Sequence, residues 1–263
     1  MADAASDPFV AKARAPRETL ITALKSLRCA AFLSAVSATG GMAASLQVTP
    51  VSVEVTAPGS ASTITLRNMA AQPITAQVRV FRWSQSGQKD VLDPTSDVVV
   101  SPPIVEVPAA GEYTVRIVRI SKTPVATEES YRLIVDEVPD PRSRSANAVQ
   151  FALRYSVPVF FSGEGQALPK IEWAIYRNGN QLSVVAQNKG TRRARLSAVQ
   201  LQLPNNQVIK LSDGLVGYVH GGATMRFPIA KPASSLGSAK SIQVTAQTDV
   251  GISSGVAAIN PSR

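Results

Sequence analysis

Asn147-Ala148-Val149-Gln150-Phe151-Ala152-Leu153-Arg154-Tyr155-Ser156-Val157-Pro158-Val159-Phe160-Phe161 is the stretch whose reading decides the fold. Val149, Phe151, Leu153 and Tyr155 alternate with Gln150, Ala152, Arg154 and Ser156. An extended backbone turns successive side chains to opposite faces, so this spacing predicts a β-strand with one apolar side. The segment before it, Val138 to Ala146, is dominated by Pro, Asp, Arg and Ser and has little to bury. It reads as a mobile loop leading into the apolar row. Periodicity alone also describes ordinary sheet core, so the role of the row depends on the rest of the chain.

Upstream, short β-rich runs are separated by Gly, Pro, Asn or Asp. They are Leu46 to Val55, Thr63 to Arg67, Ile74 to Trp83, Asp97 to Ser101, Ile104 to Val107, Tyr113 to Ile120 and Tyr131 to Val138. Ser86-Gly87-Gln88-Lys89-Asp90 fits a hairpin tip, and Pro102-Pro103 forbids a central strand there and predicts a strand that switches sheets. About seven short strands with turns every ten residues describe an immunoglobulin-like sandwich, closed by Asn147 to Phe161. Downstream, Ser162-Gly163-Glu164-Gly165 reads as a linker. Strands are then expected near Ile171 to Arg177, Gln181 to Asn188, Arg193 to Leu203, Gln207 to Leu211, Gly217 to His220, Thr224 to Pro228 and Ser241 to Thr248. Asn178-Gly179 supplies a hairpin turn. The fold class is therefore all-β, with two immunoglobulin-like sandwiches in tandem: 45–161 and 162–263.

The 263 residues carry a net charge of +9 and are 44% hydrophobic, enough for two modest cores. The first 44 residues contain Lys12, Arg14, Arg17, Lys25 and Arg28 against Asp3, Asp7 and Glu18, a net +2 that leaves +7 on the remainder. The basic residues are scattered, without the clustering or stacking aromatics of a nucleic-acid groove. The densest group, Arg192, Arg193 and Arg195, reads as a solvated hairpin face. Dispersed Arg suits an acidic partner or a C-terminal carboxylate better.

Basic residues up to Arg28, the apolar run Cys29 to Ala38 and the small residues ending in Gly41-Met42-Ala43-Ala44 describe an export signal over 1–44, cleaved after Ala43 or Ala44. The run is too short to span a bilayer, so no membrane insertion is expected after cleavage. Cys29, the only cysteine, lies inside that signal, which leaves the mature chain without a thiol for disulfides, nucleophilic catalysis or metal binding.

Several of these segments together resemble the periplasmic chaperones of pilus assembly, the PapD-like proteins of the chaperone-usher pathway. They are Tyr131 to Pro139, the Pro-rich loop and Val149 to Phe160, together with Val100-Ser101-Pro102-Pro103, Val115-Arg116-Ile117 and Thr248-Asp249-Val250-Gly251. The resemblance runs in order through almost all of residues 45 to 260. Ser156-Val157-Pro158-Val159 and Gly217-Tyr218-Val219-His220-Gly221 look closer to the archaic, Csu-type branch.

The resemblance implies a boomerang-like pair of sandwiches and a non-enzymatic mechanism in the periplasm. Pilus subunits of this type lack their last strand, and the chaperone lends an edge strand whose alternating side chains fill the groove. This is binding by β-strand addition, of which the family is an established example. Val149, Phe151, Leu153 and Tyr155 would be that subunit-binding row. The implied partners are pilus subunits and an outer-membrane usher, with a self-capping homo-oligomer also allowed.

In the classical family two basic residues hold the subunit's terminal carboxylate. The corresponding positions here fall near Ser52 and at Pro158, which cannot do so. Arg132 and Arg154, with Arg116 behind them, are the substitutes expected. The family's interdomain ionic network is matched by Glu137 and Asp249, while Ser162 stands where its arginine is expected, so another Arg must complete it or the two acids cap turns.

Two other classes are weaker. His220 is the only histidine, no thiol or carboxylate cluster accompanies it, and a structural role in its turn is expected. Asp90, Asp93 and Asp97 are interrupted by Pro94 and lack a Glu at calcium-loop spacing, so they read as a polar loop. No catalytic residue, metal site or cofactor is expected. A secreted pilus subunit or adhesin is the alternative reading, but such a chain would carry its donor segment at the mature N-terminus, whereas here it is internal.

Overall fold

The computed structural model describes residues 46–139, 152–203 and 205–261. The segment expected to be an export signal, 1–44, lies outside them, as do Val149 and Phe151. In chain order, β1 (Leu46–Thr49), β2 (Val53–Thr56), β3 (Ala61–Asn68), β4 (Ile74–Ser86) and β5 (Lys89–Pro94) open the first sandwich. It is completed by β6 (Val98–Ser101), β7 (Ile104–Val107), β8 (Glu112–Arg119), β9 (Glu129–Val138) and β10 (Arg154–Ser162). One sheet runs β1-β3-β8-β6; the other runs β2-β10-β9-β4-β5, with β7 also on β4. Leu46, Ile64, Leu66, Val115 and Ile117 of one layer meet Val78, Tyr131, Leu133, Val135, Val159 and Phe161 of the other in a single core.

The expected first strand is two strands. β1 pairs with β3, whereas β2 lies parallel to β10 in the opposite sheet. The crossover includes Pro50, which has no N–H to give to a ladder. Pro102-Pro103 does the same between β6, on β8, and β7, on β4. β5 has no counterpart among the expected strands, because Lys89, Asp90, Asp93 and Pro94 make a poor strand sequence. It forms as the second arm of a hairpin on β4, through Gly87 and Gln88 at φ 57° and 65°. Two consecutive positive φ values match the twist of a two-residue hairpin turn.

The second sandwich contains β11 (Ile171–Asn178), β12 (Gln181–Asn188), β13 (Ala194–Gln202) and β14 (Val208–Lys210). β15 (Leu215–Val219), β16 (Thr224–Ile229), β17 (Ser241–Thr248) and β18 (Gly251–Pro261) follow. They run β14-β13-β17-β18-β11-β12-β16, with β15 also on β13. β18, likewise absent from the expected strands, pairs antiparallel with β17 over Gly251–Ala258 and parallel with β11 over Ala258–Pro261, thus joining the two layers.

One fully buried asparagine holds a strand end in each sandwich. The Asn68 amide donates to the Gln72, Val107 and Pro108 carbonyls, and its oxygen accepts from the Ala70 N–H. The Asn188 amide donates to the Arg192 and Val219 carbonyls, and its oxygen accepts from the Lys170 and Gly190 N–H groups. Each therefore satisfies backbone groups that burial would otherwise leave without partners.

Candidate functional site

β10 is paired on both sides along only half its length. It meets β9 from Arg154 to Phe161, but β2 reaches it only from Val159 to Ser162. Beside Arg154 to Pro158 one edge is left without a strand among the described residues. Leu153 and Tyr155, from the row expected to bind a subunit, are half-buried and rest against the first core. Both backbone groups of Leu153 are tied to Glu137: its carbonyl accepts from the Glu137 N–H at 2.9 Å and its N–H donates to Oε2 at 3.4 Å. The Tyr155 hydroxyl donates to the Leu46 carbonyl. Leu153 and Tyr155 thus enter the sandwich anchored at the start of a strand paired on one side only.

The outer face of this sheet carries the arginines. In register, Arg132 on β9 stands between Phe81 of β4 and Pro158 of β10, and Arg154 stands opposite Asp136. Asp136 accepts from both Arg154 and Arg79, the latter at 2.6 Å. Burial alone would raise the Asp136 pKa, but these two hydrogen-bonded cations outweigh it and hold the carboxyl below its ordinary value.

Arg132 differs. Its guanidinium carbon lies 3.7 Å from the Trp83 ring centroid and 5.7 Å from that of Tyr218, with no carboxylate partner among the described residues. Burial draws its pKa down, with Asp90 opposing. Arg116 sits on β8 in the other sheet, exposed and facing away, so the sandwich core separates it from Arg132 and Arg154. The sequence grouped all three; the two-layer fold divides them.

At the junction between the sandwiches, Trp83, Phe160 and Tyr218 form a small buried aromatic cluster. Arg193 of the second sandwich places its guanidinium carbon 3.6 Å from the Phe160 ring centroid, donates to Glu128 at 2.6 Å and also bonds Glu54. Asp249 lies 3.8 Å from the same guanidinium. The Arg193 side chain is only 2% exposed, which corrects the expectation of a solvated hairpin face at that position; Arg192 is half-buried and Arg195 is exposed as expected. Ser162 donates to Glu128 at 3.1 Å.

The cation that completes the network is therefore Arg193, and the acids around it are Glu128, Glu54 and Asp249. Glu137, expected to share the network with Asp249, is at the loop end of β9 and bonds Leu153 instead. Glu54 and Glu128 carried no local signal. Their importance arises because the fold brings Arg193, 139 and 65 residues away in sequence, to them.

His220 packs edge-on against Trp83, with ring centroids 4.3 Å apart, and its backbone N–H donates to Gln85. Burial, with Arg132 and Arg193 nearby, pulls its pKa down to about 4 despite Asp90. Asp90 and Asp97 do not converge: Asp90 accepts from Gln85 and Asp97 pairs with Arg82.

Residues 45–166 match the family of pili and flagellar-assembly chaperones, PapD N-terminal domain. A search of curated protein sequences finds no significant match. Among solved structures, the chain is similar to one in the CsuC–CsuE chaperone–tip adhesion subunit pre-assembly complex of archaic Csu pili of Acinetobacter baumannii. The identity is 26% and the TM-score 0.63, over 84% of this chain and all of that one. The YadV chaperone shares the fold at 17% identity and a TM-score of 0.59, over 82% of this chain and all of that one. The Salmonella enterica SafA pilin–SafB chaperone complex does so at 19% and 0.56, over 81% and 96%. The open-edged first sandwich is thus a PapD N-terminal domain of the pilus-assembly chaperones, and the chain as a whole, with its second sandwich, is similar in structure to chaperones of the chaperone-usher pathway.

Proposed function

We propose that this protein binds pilus subunits in the periplasm by lending them the strand that begins in the row Val149, Phe151, Leu153 and Tyr155, and passes them to an outer-membrane usher. The observation that carries the reading is the one-sided pairing of β10, whose edge beside Arg154 to Pro158 has no strand among the described residues. An incoming subunit edge supplies the missing backbone partners, and the alternating apolar side chains supply contact area. Burial of such side chains is worth about 1.5 to 3 kcal/mol each before the cost of ordering both partners, so release to the next subunit stays accessible. Without a subunit, the same edge is available to cap a second copy.

Within this reading Arg132 is the anchor for the subunit's terminal carboxylate. It is a half-buried cation stacked on Trp83 without an acid partner among the described residues, whereas Arg154 already serves Asp136. The 1–44 leader is assigned to export. A pilus subunit missing a strand is disfavoured, because β10 occupies the closing position between β9 and β2.

The test is co-purification of a cognate subunit with Phe151→Asp/Leu153→Asp chaperone. Loss of the complex with an unchanged circular dichroism spectrum is expected; an unchanged yield would count against strand donation.

A further inference from the structure

The second sandwich has an open edge of its own. β18 pairs with β17 along Gly251–Ala258, but β11 joins its other side only from Ala258, so Gly251–Ala257 has no strand on that side among the described residues. Ile252 and Val256 point outward from it, 73% and 67% exposed. On the inward face, Gly255 lies so close to Trp173 that an added Cβ would be 3.1 Å from the ring. The inner side is therefore filled, and only the edge and outer face are free.

Edge strands are commonly protected by charge, proline or shortness. β5 carries Lys89, Asp90, Asp93 and Pro94; β16 carries Arg226 and Pro228; β6 has four residues. From Gly251 to Asn260 there is neither a charged residue nor a proline.

We propose that this edge pairs with the same edge of a second copy, antiparallel about a two-fold axis at Ser254. A two-fold contact sets each residue against its symmetry mate, and charged edges would meet like charge there. Here Ser254 faces Ser254 of the partner subunit, each Ile252 faces a Val256, and each Ser253 faces a Gly255. The sequence Ile-Ser-Ser-Gly-Val is thus complementary to itself when reversed: apolar at both ends, small and neutral between. One short strand pair is less than the roughly 1,600 Å² of a standard interface, so the dimer is weak and depends on concentration. It leaves β10 free, which separates it from capping through the subunit-binding row.

The test is sedimentation equilibrium of the purified full chain from micromolar to near-millimolar concentration. Weight-average mass should rise toward twice the monomer value, and Ile252→Lys/Val256→Lys should abolish the rise. In a Cys29→Ser background, Ser254→Cys should form a disulfide-linked dimer in oxidised glutathione. Gln243→Cys, on β17 one strand further from the axis, should stay monomeric, because three strand spacings alone would set its symmetry mate roughly 14 Å away. Constant mass, equal cross-linking at both positions, or a dimer abolished by Leu153→Asp but not by the β18 lysines would each overturn the proposal.

Discussion

Arg193 and Glu128 meet at 2.6 Å with both side chains 2% exposed, one from each sandwich. A buried pair of this kind adds little over a well-packed apolar replacement, but removal of one partner leaves the other charged and without compensation. Arg193→Ala should therefore cost about 3 to 5 kcal/mol, read from the denaturant midpoint. Arg193→Ala/Glu128→Ala should cost less than the sum of the single changes. Additive losses in that double-mutant cycle would show that the residues act independently.

The stacking of Arg132 on Trp83 leads to a second prediction. Arg132→Ala should weaken capture of a subunit with a free C-terminal carboxylate while changing capture of a C-terminally amidated subunit much less. Arg154→Ala should affect both alike, since Arg154 is held by Asp136. Equal losses for both subunits in Arg132→Ala would remove Arg132 as the carboxylate anchor.

His220 makes stability depend on pH. Its folded pKa of about 4 is below the ordinary 6.5, so the unfolded chain takes up the proton first. The contribution is fully present above about pH 6.5 and is lost as pH falls through about 4. Urea unfolding at about pH 7 and about pH 4.5 should show a loss on the order of 2 to 3 kcal/mol in the wild-type chain that is reduced in His220→Gln. The same slope in both would assign the pH dependence to other groups.

Asn68 and Asn188 give a comparison internal to the chain. Each side chain serves at least four buried or partly buried backbone groups, so Asn188→Ala leaves several without partners at once. A loss of about 2 to 4 kcal/mol is expected, with a similar loss for Asn68→Ala. Thermal unfolding of the two variants would check this, and a change within about 0.5 kcal/mol would mean that water replaces the amide.

Alternation and turn residues were enough to assign the all-β class, two sandwiches and most strand positions, because these signals reside in neighbouring residues. The sheet switch at Pro102-Pro103 was legible because proline cannot donate to a ladder. β5 and β18 were not: one is polar, the other rich in Gly, Ser and Ala, and both are strands because β4, β17 and β11 offer them backbone partners. The same limit applies to charge. Arg193 looks as solvated as Arg192 and Arg195 until Glu54 and Glu128 are folded against it, and Arg116 looks equivalent to Arg132 until the two sheets set them apart. Local chemistry determined which segments could be strands; tertiary structure decided which edge remains open and which arginine lacks an acid among the described residues, since both depend on neighbours distant in sequence.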